Sequence, residues 1–150
     1  MKTMTCRQLG GPCDLAHHGE TADDVINAQD QHLKDAVKAG DVATAKKLYP
    51  TARSYWERIE PVAESFGDLD PKIDGREDVV EDGMEFTGYH RLERDLWKTG
   101  LQEDSNDMAD QLLADVTKLV EKAKKVKLDP LDLANGSKAL LDEMATGKIT

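Results

Sequence analysis

The sequence predicts an all-α fold: an antiparallel four-helix bundle carrying an N-terminal helical or loop extension. Three observations predict it. Apolar residues recur at helical spacing along most of the chain, while strand-like alternation is scarce. Turn and cap signals divide the periodic stretches at Gly40, Gly67 to Gly75, Gly100 and Asp129-Pro130. With 150 residues, 39% of them apolar, 33% charged and 5% aromatic, the chain has room for one lean core under a water-facing surface.

The elements follow in order. Thr21 is placed to cap a first helix with Asp23 and Asp24 in its first turn, where anions suit the helix dipole. That helix buries Val25, Ile26, Ala28, Leu33, Ala36 and Val37 and stops at Gly40. Asp41 caps a second helix, which Pro50 is expected to interrupt or restart. The stripe Trp56, Ile59, Ala63, Phe66 carries it on, with a bend at Pro61. Gly67 to Gly75 reads as a turn-rich loop around Pro71. A third helix is expected from about Glu77 to Trp97, weakened near Gly83 and Gly88. The fourth, about Asp104 to Lys125, has the plainest stripe: Met108, Leu112, Val116, Leu119 and Ala123, with Asp115 set aside. Asp129 and Pro130 form an N-cap and first-turn pair opening a fifth helix, Leu131 to Ala145.

Net charge is −10. Phosphate binding needs a basic face, and none is visible, so nucleic acid is excluded as a partner. No stretch approaches the roughly eighteen apolar residues of a membrane span. The N-terminus as written also lacks the apolar run of a secretory signal, which leaves a cytoplasmic location open. The charge is unevenly spread: 13 acids face 5 bases between Glu57 and Asp95, which accounts for −8 of the total. Such a run serves as a solvated acidic face or as a basin for a cation, because clustered carboxylates repel unless something positive sits among them.

Along the third helix, Phe86, His90, Glu93 and Trp97 recur at spacings of four, three and four. That pattern predicts that His90 and Glu93 share an inward face with two aromatics. An imidazole and a carboxylate one turn apart can reach one ion and suit iron, zinc or copper. Spacing alone favours a packed histidine bonded to its i+3 carboxylate, because H-x-x-E is a short pattern. No H-E-x-x-H occurs, so the usual zinc-protease arrangement is absent. On the second helix Glu57, Glu60 and Glu64 edge the stripe Trp56–Ile59–Ala63. They read equally as a solvated acid row beside Arg58 and as carboxylates turned toward a bundle interior.

Three segments carry a resemblance: Tyr-Trp-Glu-Arg-Ile-Glu-Pro-Val-Ala-Glu-Ser-Phe-Gly-Asp-Leu-Asp-Pro (55–71), Asp-Gly-Arg-Glu-Asp (74–78) and Glu-Phe-Thr-Gly-Tyr-His-Arg-Leu-Glu (85–93). With Leu-Ala-Asn-Gly-Ser-Lys-Ala-Leu-Leu-Asp-Glu (133–143), they closely resemble the EfeO branch of the imelysin-like proteins of bacterial iron uptake, from about Leu33 to Thr150. The resemblance implies a periplasmic, non-catalytic metal binder that hands ferrous or ferric iron to a membrane permease with a haem-peroxidase-like partner. Its H-x-x-E falls on His90 and Glu93, and its further acidic ligands on Glu57, Glu60 and Asp74. The same ligand types would also hold Zn²⁺ or Cu²⁺. The family's domain is a pair of four-helix bundles with the metal between them. This chain is therefore expected to supply the first half (42–150), and an oligomer to complete the site.

The opening segment (1–41) resembles instead a small uncharacterised bacterial family that begins with this Cys-Arg-Gln-Leu-Gly-Gly pattern. The chain thus reads as a mosaic joined near Lys34 to Asp41. Cys6, Cys13, His17 and His18 could hold a metal, yet the C-x6-C spacing is wider than the usual zinc knuckle. Free buried thiols are favoured over a disulfide. Two other functional classes stand beside the metal binder. One is a non-catalytic helical interaction module with a vestigial or incomplete metal site. The other is a metallopeptidase, which lacks a separate general base or nucleophile.

Overall fold

The computed structural model describes residues 1–80 and 83–148. Glu81 and Asp82, counted in the acidic stretch above, and the last two residues lie outside the described residues. Six helices dominate, preceded by a small hairpin. Strand β1 (Lys2–Thr5) pairs antiparallel with β2 (Ala16–Gly19), with Met4 opposite His17. The N-terminal extension is therefore a β-hairpin, not a helix. Sequence patterning missed it because neither four-residue strand alternates apolar with polar residues.

Helix α1 (Ala22–Lys38) opens on a full capping box: Thr21 Oγ1 accepts from the Asp24 amide, and the Asp24 carboxylate accepts from the Thr21 amide. Its buried face is Val25, Gln29, Leu33, Ala36 and Val37. Gln29, not the half-buried Ile26 and Ala28, completes that face. Helix α2 (Val42–Ile59) is capped by Asp41 and runs unbroken through Pro50, which corrects the expected interruption. The proline costs one backbone hydrogen bond there, and burial of Leu48, Tyr49, Ala52 and Trp56 on one face offsets it. At Pro61 the chain tightens into a 3-10 stretch, Glu60–Phe66, that keeps Ala63 and Phe66 in the core.

Two further expectations fail next. The predicted loop holds a short helix, α3 (Leu69–Asp74), whose Leu69 and Ile73 are buried. The predicted long helix from Glu77 is reduced to α4 (Gly88–Arg94), prolonged by a wider π-type turn, Asp95–Thr99. Gly88 explains the late start. Its φ is +83°, and a Cβ there would lie 2.2 Å from the Ile73 carbonyl oxygen. The chain must turn left-handed against the end of α3 before a helix can begin. Thr87 Oγ1 reinforces that junction by donating to the Lys72 carbonyl at 2.8 Å.

Helix α5 (Ser105–Ala123) buries Met108, Ala109, Leu112 and Leu119, and also Asp115, which the Gln111 amide and Lys118 partner. Helix α1 packs on α2 and α5, and α3 and α4 pack on α5. One contiguous core results, and Leu48, Trp56, Ile73, Tyr89, Leu92 and Leu96 belong to it. Asp95 is fully buried, held by Arg91 and by Ser105 Oγ at 2.8 Å. That network fastens α4 to the start of α5. Helix α6 (Pro130–Glu143), opened by an Asp129–Asp132 capping box, buries no residue completely and leans on the 3-10 stretch.

Candidate metal centre

The buried face of α4 is Tyr89, Leu92 and, one turn on, Leu96. The stripe Phe86, His90, Glu93, Trp97 is therefore not the core face. Phe86 precedes the helix, Glu93 is exposed, and Trp97 is 50% exposed. His90 sits at the rim of the core, with its side chain 26% exposed, and it opens into a cleft rather than into bulk solvent.

That cleft has a volume of about 510 Å³. Its floor comes from α2, the 3-10 stretch, α3 and α4, and α6 supplies a wall through Gly136, Ala139, Leu140 and Glu143. Glu60, Glu64, Asp70, Asp74 and His90 all line it. Burial and the neighbouring carboxylates of Asp74, Glu64 and Glu143 raise the Asp70 pKa above the usual range. Crowded like charges of this kind attract a cation.

Arg53, one turn before Glu57 on α2, organises the predicted residues. Its Nη1 and Nη2 form a two-pronged pair with Asp74, and its Nε meets Glu57 Oε1 at 2.7 Å. Burial opposes the arginine's charge, but hydrogen bonding and attraction to Asp74 outweigh it, so its pKa rises and it stays charged. Arg53 Nη2 also lies 3.4 Å from His90 Nε2. A guanidinium can only donate, so Nε2 carries the ring's lone pair and Nδ1 carries the proton. Nδ1 then donates to Glu93 Oε2 at 2.9 Å. The H-x-x-E pair is thus a histidine oriented by its carboxylate, with the Nε2 lone pair accepting from Arg53 and Asp74 Oδ1 lying 3.8 Å from the same nitrogen.

The five predicted residues divide around Arg53. Glu60, Asp74 and His90 line the cleft. Glu57 and Glu93 border a neighbouring depression with Tyr49 and Trp97. Sequence reasoning missed Arg53 and Asp70. The available signals were the i,i+4 pairs Arg53–Glu57 and Asp70–Asp74.

At the N-terminus both cysteines are free. Cys6 and His17 are buried together, whereas His18 points outward to Thr3 Oγ1 at 2.9 Å. Alternation along β2 separates the two histidines.

Comparison with known proteins adds the following. The profile of the imelysin family (peptidase M75) matches residues 16–150. The iron uptake system component EfeM of Bacillus subtilis is 48% identical over 112 residues, 75% of this chain and 29% of that protein. An EfeM/EfeO family lipoprotein of Staphylococcus haemolyticus is 48% identical over 119 residues, 77% of this chain and 42% of that one. The iron uptake system component EfeO of Escherichia coli O157:H7 is 42% identical over 119 residues, 77% of this chain and 32% of its own length. The chain thus spans less than half the length of these curated relatives.

Proposed function

The chain belongs to the imelysin family, and from that premise we propose that it is a non-catalytic, iron-binding module of a bacterial iron-uptake system. One observation carries the reading: His90 Nε2 and Asp74 Oδ1 stand 3.8 Å apart inside an acidic cleft. Two donors that share one ion through bonds of about 2.1 Å stand at a comparable separation. His90 and Asp74 are the primary ligands, joined by Glu60 from the 3-10 stretch. Glu93 orients the imidazole, and Glu57 holds Arg53. Iron is the cargo, and the same donors accept Zn²⁺ or Cu²⁺. The relatives are named as uptake components rather than peptidases, which supports binding over hydrolysis.

The coarser role implies finer ones. As the first half of a pair of helical bundles, the module would receive further ligands from a second half or from another copy. It would pass iron to a permease with a haem-peroxidase-like partner. A periplasmic site of action accords with the lipoprotein name of one relative, and no described helix is long and apolar enough to cross a membrane. A second reading, a helical interaction module with a vestigial site, is favoured by Arg53, which already pairs with both Asp74 and Glu57.

Anaerobic calorimetric titration with Fe²⁺ separates the two. The expected result is one site that weakens on acidification, because the ligands must lose protons. The pair His90→Ala and Asp74→Asn should weaken it at least about tenfold, equivalent to roughly 1.4 kcal/mol. Unchanged affinity in that double variant would sink the iron-binding reading in favour of the interaction module.

A further inference from the structure

A second cluster of ligand-type side chains lies far from this cleft in the chain, where the hairpin meets α1. Cys6 follows β1, His17 is on β2 and His32 is on α1. Their ligand atoms gather within 4.8 Å of one another, and among the described residues no other group of three such side chains does so. Cys6 is 0% and His17 5% exposed.

The surroundings are built rather than incidental. Gln29, itself fully buried, donates from Nε2 to Cys6 Sγ at 3.5 Å and presents Oε1 to His17 Nε2 at 2.9 Å. Because that oxygen can only accept, His17 keeps its proton on Nε2 and its lone pair on Nδ1. Outer-shell partners orient metal-ligating histidines in this way. The loop after Cys6 folds back over the thiol, with the Leu9 and Gly11 amides both donating to the Cys6 carbonyl. A Cβ on Gly11 would stand 2.2 Å from Cys6 Sγ, so only glycine lets the backbone close over the sulfur. One polar atom in the pocket is left over: His32 Nδ1 is sealed from solvent and has no hydrogen-bond partner. Buried polar atoms without partners are uncommon, and a cation would satisfy this one.

We propose that Cys6, His17 and His32 form a structural Zn²⁺ site that pins the N-terminal hairpin to α1. A sulfur and two imidazole nitrogens suit Zn²⁺ with bonds of about 2.3 and 2.1 Å. Donors in such a tetrahedron stand about 3.5 Å apart, so side-chain rotations of about 1 Å at most would draw the three atoms into place. Cys13, in the same loop, lies outside this group of three, and the fourth position is left to a water or another small donor. Binding would displace the Cys6 thiol proton and leave a thiolate on the metal. This site is independent of the iron-binding reading, because its residues and its ligand chemistry are different.

Titration of the reduced full chain with Co²⁺, a spectroscopic stand-in for Zn²⁺, tests the proposal. The expected signal is a thiolate-to-metal charge-transfer band in the near ultraviolet, saturating at one equivalent and reversed by Zn²⁺. The cleft around His90 contains no cysteine, so the band reports on this site alone. Cys6→Ser should abolish it. His32→Ala, at a partly buried position, should weaken binding at least tenfold, and His32→Cys, which keeps a donor there, should restore it. Absence of the band in the unmodified chain, or unchanged affinity in His32→Ala, would overturn the assignment.

Discussion

Asp30 shows how one side chain can set the pH response of the whole fold. It lies on α1 with Oδ1 sealed from water and unpartnered, and burial pushes its pKa up to about 7. The unfolded chain ionises this group near 3.9, so the folded state is the better proton binder between the two values. Its contribution is therefore most favourable in acid and is lost as pH rises from about 4 to about 7. Asp30→Asn should raise the melting temperature at about pH 8 by several degrees and change it little near pH 4, as followed by circular dichroism. An equal shift at both pH values would show that charge is not the cause. Geometry at this scale was partly legible. His90, Glu93 and Asp74 could be named from the chain, but Arg53 could not be assigned a place. An arginine edging a helix looks the same in sequence whether it meets water or three ligand-type side chains. His32 was missed for a similar reason, since its neighbours on β2 and β1 are brought to it only by a hairpin.

Among the elements, those with chemical punctuation were read correctly. Thr21, Asp41 and Asp129-Pro130 mark the starts of α1, α2 and α6 to within a residue. Where punctuation and periodicity disagreed, periodicity misled. The four-three-four spacing around His90 suggested one long inward stripe, yet Gly88, docked on Ile73, forbids a helix before it. Close backbone approach also governs α6. A Cβ on Gly136 would lie 1.5 Å from the Pro61 carbonyl oxygen, and overpacking of this kind typically costs about 1–3 kcal/mol. Because α6 buries nothing else completely, Gly136→Ala should detach that helix while the rest of the bundle melts nearly as before. Limited proteolysis would detect this as faster cleavage between residues 124 and 130. Cleavage at the original rate would mean that α6 is held by other contacts.

For the molecule as a whole, charge is the dominant property. A net −10 with most of the excess between Glu57 and Asp95 makes the compact state repel itself. Raising NaCl from about 0.02 to 0.3 M shortens the screening length from roughly 20 to 6 Å and should raise the melting temperature by a few degrees. A fall instead would show that surface ion pairs such as Lys38–Asp110 outweigh the repulsion. Screening of this kind is generic, whereas the cleft has its own counter-charge in Arg53. Since that guanidinium already pairs with Asp74 and Glu57, a cation that claimed either carboxylate would have to displace it. The ion pair thus acts as an internal competitor, setting a threshold that any positively charged guest must exceed.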